Sequence, residues 1–183
     1  MQKFFESLGI EHWLAIGSAV LALASFILNM RLVNKQERRN AVAMKMAHDS
    51  DIIRWSDEVI SLLAASQEMV AEKGVSYGEV EFASRRSAVR AQLSALIDRG
   101  RLFFPNREDD DHGKEKEAGF RGHRHPALDV LVAAYATIDK SGYSPGPDRD
   151  AIAALTTQRR KFMAEVFQAV DPVRRGEKLK EVT

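Results

Sequence analysis

The sequence predicts an all-α protein with a single N-terminal transmembrane helix that continues into a stalk and a cytoplasmic four-helix bundle. Residues 13–30 form an uncharged apolar run, good helix formers dominate the remainder, and alternating strand patterns are nearly absent. The predicted parts are an extracytoplasmic N-terminus (1–11), the membrane helix (12–33), the stalk (34–50), the bundle (51–172) and a charged tail (173–183).

The apolar run is long enough to cross a bilayer. As a helix it spans roughly 27 Å, close to the ~30 Å hydrocarbon core, with its backbone hydrogen bonds satisfied internally. A cleaved signal peptide is the first alternative, but the A-x-A pattern at residues 22–24 lies inside the run and not after it. A buried core helix is the second, but it would carry a polar face, and this run is apolar on all sides.

Basic residues are concentrated after the apolar run, at Arg31, Lys35, Arg38, Arg39 and Lys45. Because Lys and Arg are retained on the cytoplasmic side, we expect the N-terminus outside and the C-terminal domain in the cytoplasm. The absence of cysteine agrees with a cytoplasmic domain. The predicted location is therefore the inner (cytoplasmic) membrane, with the helix as a single-pass signal anchor.

One stripe of the membrane helix carries small and polar residues at alternating spacings of three and four. It consists of Ala15, Ser18, Ala22, Ser25 and Asn29. Small residues allow two helices to approach closely, and the Asn29 amide can hydrogen-bond to a partner helix. The stripe predicts self-association in the membrane; the alternative is that small residues are simply common in membrane helices.

The first helix of the predicted bundle has no proline or glycine before Gly74, so it can continue the membrane helix without a break. Its core-facing residues recur at spacings of three and four. They are Ile52, Trp55, Val59, Leu62, Ser66 and Met69. For the second helix, Ser76 and Glu79 match a capping box, and we expect the helix to end near Gly100.

Pro126 is suited to the first turn of a third helix. Residues 141–148 predict a turn, and Asp148 can cap a fourth helix that stops at Pro172. Four amphipathic helices with mostly short connections pack most simply as an up-and-down bundle, and an orthogonal arrangement is the alternative.

The connection at residues 101–125 is too long for that simple scheme, and long loops often carry function. Its middle, residues 107–117, is almost entirely charged, so we expect it to be solvated and mobile. In a structural interpretation of its ends, Phe103, Phe104 and Phe120 cover the end of the core. Arg101, Arg121 and Arg124 then pair with carboxylates such as Asp98 and Asp129.

In the functional interpretation, the same segment binds a small anion such as a phosphate or nucleotide. The start of the Pro126 helix would supply amide donors to this anion. The candidate ligand-binding residues are Arg101, Asn106, Arg121, His123 and Arg124. No phosphate-loop glycine pattern accompanies them.

We expect no metal, no cofactor and no catalytic residue. The candidate metal ligands are Asp109, Asp110, Asp111, His112, His123 and His125, but their spacing lacks the rigid helical placement of a zinc site. The segments GRLFFPN (100–106) and FRGHRHPALD (120–129) resemble segments of bacterial single-pass membrane proteins. This resemblance implies no particular activity and transfers no site residue.

The leading functional hypothesis is a non-catalytic interaction or oligomerisation module, with the lipid bilayer and a protein partner or second copy as its partners. The net charge of +1 gives no reason to expect specific nucleic-acid binding. The alternative is a membrane-linked sensor or effector that binds a small anion or nucleotide at residues 101–125. A third hypothesis, an enzyme acting on nucleic acid or nucleotides, depends on His123 and His125.

Overall fold

The computed structural model describes residues 10–76, 78–108 and 111–170, and the side chains only from residue 13 onward. These residues form four α-helices and no named strand, which confirms the all-α class. The helices are α1 (Ile10–Ala71), α2 (Glu79–Gly100), α3 (Pro126–Lys140) and α4 (Arg149–Val170), with a 3-10 turn at Ala118–Phe120. Residues 1–9, Pro172 and the tail at 173–183 lie outside the described residues.

Helix α1 is 62 residues long and contains both the apolar run and the predicted stalk. The described chain divides into two compact units, residues 10–47 and residues 48–170. In the first unit, the apolar run is fully exposed and is long and apolar enough to span a membrane. All five residues of the small-residue stripe are exposed, and the Ser18 hydroxyl donates to the Ala15 carbonyl oxygen at 2.9 Å.

The second unit has one hydrophobic core to which all four helices contribute. Helix α3 packs against α2 and α4. All six core-facing positions predicted on α1 are buried, because the apolar residues follow the helical period. Trp55 is fully buried, and its indole N–H donates to the Leu96 carbonyl oxygen at 2.9 Å. Gly100 ends α2 against this indole, where a Cβ would lie 2.6 Å from both Trp55 and Leu128.

Two of the three predicted helix starts agree with the structure. Helix α3 begins at Pro126, and the Asp148 carboxylate accepts the Ala151 N–H at 3.1 Å at the start of α4. The capping-box prediction at Ser76 is wrong: Gly78 precedes α2, without a side-chain cap. The Ser76 N–H instead donates to the Glu72 carbonyl oxygen at 2.9 Å, because this residue still belongs to the turn that closes α1.

A buried lysine holds the turn between α3 and α4 in place through hydrogen bonds. Lys73 is 2% exposed, and its ammonium donates to the Gly142 carbonyl oxygen at 3.0 Å and to Asp148 at 3.2 Å. Arg86 donates to the Ser141 carbonyl oxygen at 2.7 Å. Both cations therefore satisfy acceptors of the turn itself.

Candidate functional site

The segment between α2 and α3 is attached to the core at both of its ends. Phe104 is buried and Phe103 packs beside it, with ring centroids 5.6 and 5.9 Å from that of Trp55. The Phe104 ring also lies 4.6 Å from the His125 ring, just before α3. The structural interpretation is therefore confirmed for these two phenylalanines. Phe120 does not join the core and is 44% exposed.

An antiparallel bridge closes the base of the charged loop. The Arg107 N–H donates to the His123 carbonyl oxygen at 2.9 Å, and the His123 N–H returns a bond to Arg107 at 2.8 Å. The Gly122 N–H donates to the His112 carbonyl oxygen at 2.8 Å. The described loop residues are mostly exposed, as the sequence predicts, but these bonds fix the loop in one register.

Gly122 makes this closure possible. Its φ of +76° lies in the left-handed region that side chains disfavour, and a Cβ would lie 2.1 Å from the Arg107 carbonyl oxygen. Only glycine allows the backbone of residue 122 to approach Arg107 this closely.

A partly open cavity of about 410 Å³ lies at this loop. Four of the five predicted ligand-binding residues line it: Arg101, Asn106, His123 and Arg124. The other lining residues are His112, Lys116, Phe120, Gly122 and Asp129. Arg121 does not line the cavity; its Nε donates to the Lys116 carbonyl oxygen at 2.9 Å and supports the loop from outside.

Among the lining residues that the structure describes, positive charge exceeds negative charge. They include the cationic side chains Arg101, Lys116 and Arg124 and one carboxylate, that of Asp129. Arg124 pairs with Asp129 at 3.0 Å. Arg101 has Asp98 at 3.8 Å, beyond hydrogen-bond distance, and this carboxylate is 68% exposed. Two of the three arginines of the structural interpretation thus form the expected ion pairs, and cations still outnumber carboxylates among the described lining residues.

Three polar atoms of the cavity wall are buried without a hydrogen-bond partner among the described protein atoms. They are the Nε atoms of Arg101 and Arg124 and the Oδ1 atom of Asn106. Buried polar groups in folded proteins are normally paired, and each unpaired one costs about 1–3 kcal/mol. Two cationic donors and one acceptor in residues that line the cavity therefore have no partner among the described protein atoms.

Flat ring systems form another part of the wall. The Arg101 guanidinium carbon lies 4.4 Å from the centroid of the Phe120 ring, within cation–π distance. The His112 and His123 rings are stacked, with centroids 4.5 Å apart and an angle of 11° between their planes.

The prediction that the start of α3 supplies amide donors is wrong. The Ala127 N–H donates to Nδ1 of His125 at 3.2 Å, and the Leu128 and Asp129 N–H groups donate to the His125 carbonyl oxygen at 2.9 and 3.1 Å. Since Pro126 has no N–H, the donors of this first turn are already used. The amide groups at the start of α3 are therefore not available to an anion in the cavity.

His125 caps α3 in its neutral form. Its Nδ1 acts as an acceptor, which requires an unprotonated nitrogen, and burial lowers the pKa of the imidazole below its ordinary value. This residue packs on Phe104 and is not among the residues that line the cavity.

Five of the lining residues are not among the ligand-binding residues that the sequence predicts: His112, Lys116, Phe120, Gly122 and Asp129. The bridge between residues 107 and 123 places Lys116 and Phe120 in the cavity wall. No alternating strand pattern in the sequence predicts this bridge. The sequence feature that could have indicated the bridge is Gly122 beside His123, since a glycine between polar residues often marks a close approach of two backbone segments.

Among the described residues, no group of three or more histidines, cysteines and carboxylates is arranged to hold a metal ion. Asp109 and Asp110 lie outside those residues. No family model matches the sequence, and neither the curated proteins nor the solved structures gave a match.

Proposed function

We propose that this protein is a membrane-anchored binding protein whose second unit holds a small phosphate-like anion in the cavity at residues 101–125. The observation that carries the proposal is the cavity wall itself. Among the described lining residues there are three cationic side chains, Arg101, Lys116 and Arg124, and one carboxylate, and the Nε atoms of Arg101 and Arg124 have no acceptor among the described protein atoms.

Phosphate suits these groups because its oxygens accept charge-assisted hydrogen bonds, which are roughly twice as strong as neutral ones. The planar guanidinium fork also matches the geometry of phosphate oxygens. The net charge of the whole chain is only +1, so the excess of cations among the described lining residues does not reflect a generally basic protein. This favours a small ligand over a general nucleic-acid surface.

Isothermal titration of the full-length protein in mild detergent with inorganic phosphate tests the proposal. We expect the wild type to bind and the Arg124→Ala variant to lose about tenfold in affinity or more, since a hydrogen bond to a charged group contributes about 1.5–3 kcal/mol. Lys114→Ala is the matched control. Lys114 is exposed, pairs with Asp111 in the same loop, and does not line the cavity.

The proposal fails if the wild type gives no binding heat. It also fails if Arg124→Ala and Lys114→Ala bind phosphate equally well, because binding would then depend on loop charge in general. Circular dichroism of each variant separates lost binding from lost folding.

The proposed architecture is a cytoplasmic four-helix bundle behind a single inner-membrane anchor, with the N-terminus outside. The shared core of the four helices supports the bundle, and the basic residues after the apolar run support the orientation. Because the chain has no cysteine, Gln2→Cys and Thr183→Cys variants report sidedness with an impermeant maleimide. Labelling of residue 183 from outside intact cells contradicts this orientation.

A second candidate function is self-association through the stripe of the membrane helix. The side chains of this stripe are small, and the Ser18 hydroxyl is satisfied within its own helix by the Ala15 carbonyl oxygen, so the stripe allows a second helix to approach closely. A Ser18→Leu, Ala22→Leu double variant should lose crosslinked oligomers. An unchanged oligomer yield contradicts this function and leaves the anion site unaffected.

A further inference from the structure

We infer that the anion bound in this cavity is a nucleoside monophosphate or a ligand of the same chemistry, with a phosphate at one end and a planar base at the other. The inference rests on the proposed anion-binding function and adds the chemical class of the ligand.

The size of the cavity is the first reason. Its volume of about 410 Å³ falls within the roughly 300–1,000 Å³ typical of small-molecule sites. A single phosphate ion occupies a small part of such a space. The remaining volume suits an organic group of about the size of a nucleoside.

The flat surfaces of the wall are the second reason. Phe120 lines the cavity and is 44% exposed although large apolar rings normally gain by burial, and the Arg101 guanidinium lies against one face of its ring in cation–π contact. The parallel rings of His112 and His123 form another flat surface in the same wall. A planar base stacks well on such surfaces, and base–aromatic stacking contributes substantially to nucleotide affinity.

The acceptor in the wall is the third reason. The buried Oδ1 atom of Asn106 has no donor among the described protein atoms. A fully ionised phosphate offers no hydrogen to an acceptor, whereas a nucleoside carries amino and hydroxyl donors. A ligand with phosphate oxygens for the arginines and a donor for Asn106 matches both kinds of unpaired atom.

The test compares AMP, ribose 5-phosphate and adenosine by isothermal titration with the full-length protein in mild detergent. We expect AMP to bind about tenfold more tightly than ribose 5-phosphate, because only AMP adds base stacking. Adenosine should bind more weakly than either phosphate, because it lacks the group that the arginines recognise.

Variants at Phe120 identify the stacking surface. Phe120→Leu should remove the preference for AMP over ribose 5-phosphate, and Phe120→Trp should retain it. The ratio of the two affinities is the readout, since a disturbed Arg101 would weaken both ligands together. Leu102→Ala is the control, because Leu102 is 79% exposed and does not line the cavity.

The outcomes separate this inference from the proposed function. Equal affinities for AMP and ribose 5-phosphate, both dependent on Arg124, overturn the nucleotide inference and leave anion binding in place. A preference for AMP that persists in Phe120→Leu also overturns it. If neither phosphate nor AMP binds, both proposals fail.

Discussion

Two connections of the second unit use their cations in opposite ways. In the turn at residues 141–148, the ammonium of Lys73 is buried and bonded to Gly142 and Asp148. The segment at residues 101–125 holds Arg101 and Arg124, whose buried Nε atoms have no acceptor among the described residues.

This difference separates cations that are paired within the fold from cations that could bind a ligand. A cation whose donors all meet protein acceptors contributes to stability and has little left for a ligand. In the turn, the Ala151 N–H and then Lys73 lower the pKa of Asp148, so this carboxylate is held charged for a structural purpose. In the loop, cations outnumber the described carboxylates of the wall, so a bound anion would complete the site.

Of the variants that compare the two connections, a replacement of Gly122 should have the largest effect, and this effect is on phosphate binding. In Gly122→Ala the added Cβ overlaps the Arg107 carbonyl oxygen and the left-handed backbone is strained, so the bridge must open. We expect phosphate affinity to fall beyond about 100-fold, the equivalent of roughly 2.7 kcal/mol. Titration calorimetry measures this loss.

Gly119→Ala is the matched control for Gly122→Ala. A Cβ at Gly119 meets nothing within 4 Å, so this variant should bind phosphate like the wild type. Wild-type affinity in Gly122→Ala would show that the closed loop is not needed for binding.

Breaking the turn should instead reduce stability and spare binding. Lys73→Met leaves Asp148 and the Gly142 carbonyl oxygen without their partner, and loss of one member of a buried ion pair costs about 3–5 kcal/mol. Because the Asp148 side chain is 30% exposed, we expect a smaller loss of about 2 kcal/mol in the free energy of unfolding.

Denaturant unfolding followed by Trp55 fluorescence in a Trp13→Phe background measures this loss, since the chain has two tryptophans. Lys114→Ala, which removes an exposed lysine, should change stability by less than about 0.5 kcal/mol. If Lys73→Met impaired phosphate binding in the folded protein as strongly as Arg124→Ala, the two connections would not be functionally separate.

The smallest expected effect is a pH dependence of stability that arises from His125. Burial lowers the pKa of His125 in the folded state, so its contribution to stability is complete above the ordinary histidine pKa of about 6.5. This contribution is lost as the pH falls through the lowered pKa, because protonation removes the Nδ1 acceptor for Ala127.

We therefore expect the wild type to lose about 1 kcal/mol more unfolding free energy than His125→Asn between pH 7.5 and pH 5, a typical N-cap contribution. Asparagine can cap α3 without titrating. The same fluorescence assay at both pH values measures the difference, and identical pH dependence in the two proteins would rule out a titrating cap.

Local patterns predicted the helices well because helix formation depends on neighbouring residues. The buried stripe of α1 follows from spacings of three and four residues. The start of α3 at Pro126 and the cap at Asp148 follow from residue types that suit the beginning of a helix. The Ser76 cap prediction was wrong because Ser76 still belongs to the turn that closes α1, where its N–H donates to Glu72. The capping-box pattern does not show where that turn ends.

The candidate site was only partly predictable for a related reason. Arg101, Asn106, His123 and Arg124 were singled out by residue type, and all four line the cavity. Arg121 has the same chemistry, but it supports the loop through the Lys116 carbonyl oxygen. Residue type thus indicates which side chains can bind an anion, whereas backbone pairing decides which of them converge.

The sequence by itself determined the apolar helix at the N-terminus and the helical character of the remaining chain, because both arise from composition and short-range periodicity. Only the tertiary structure decided the cavity. Its wall depends on a bridge between residues 107 and 123, on the close approach at Gly122 and on the anchoring of Phe104 to the core. These contacts join residues far apart in the chain, and no local pattern specifies their register.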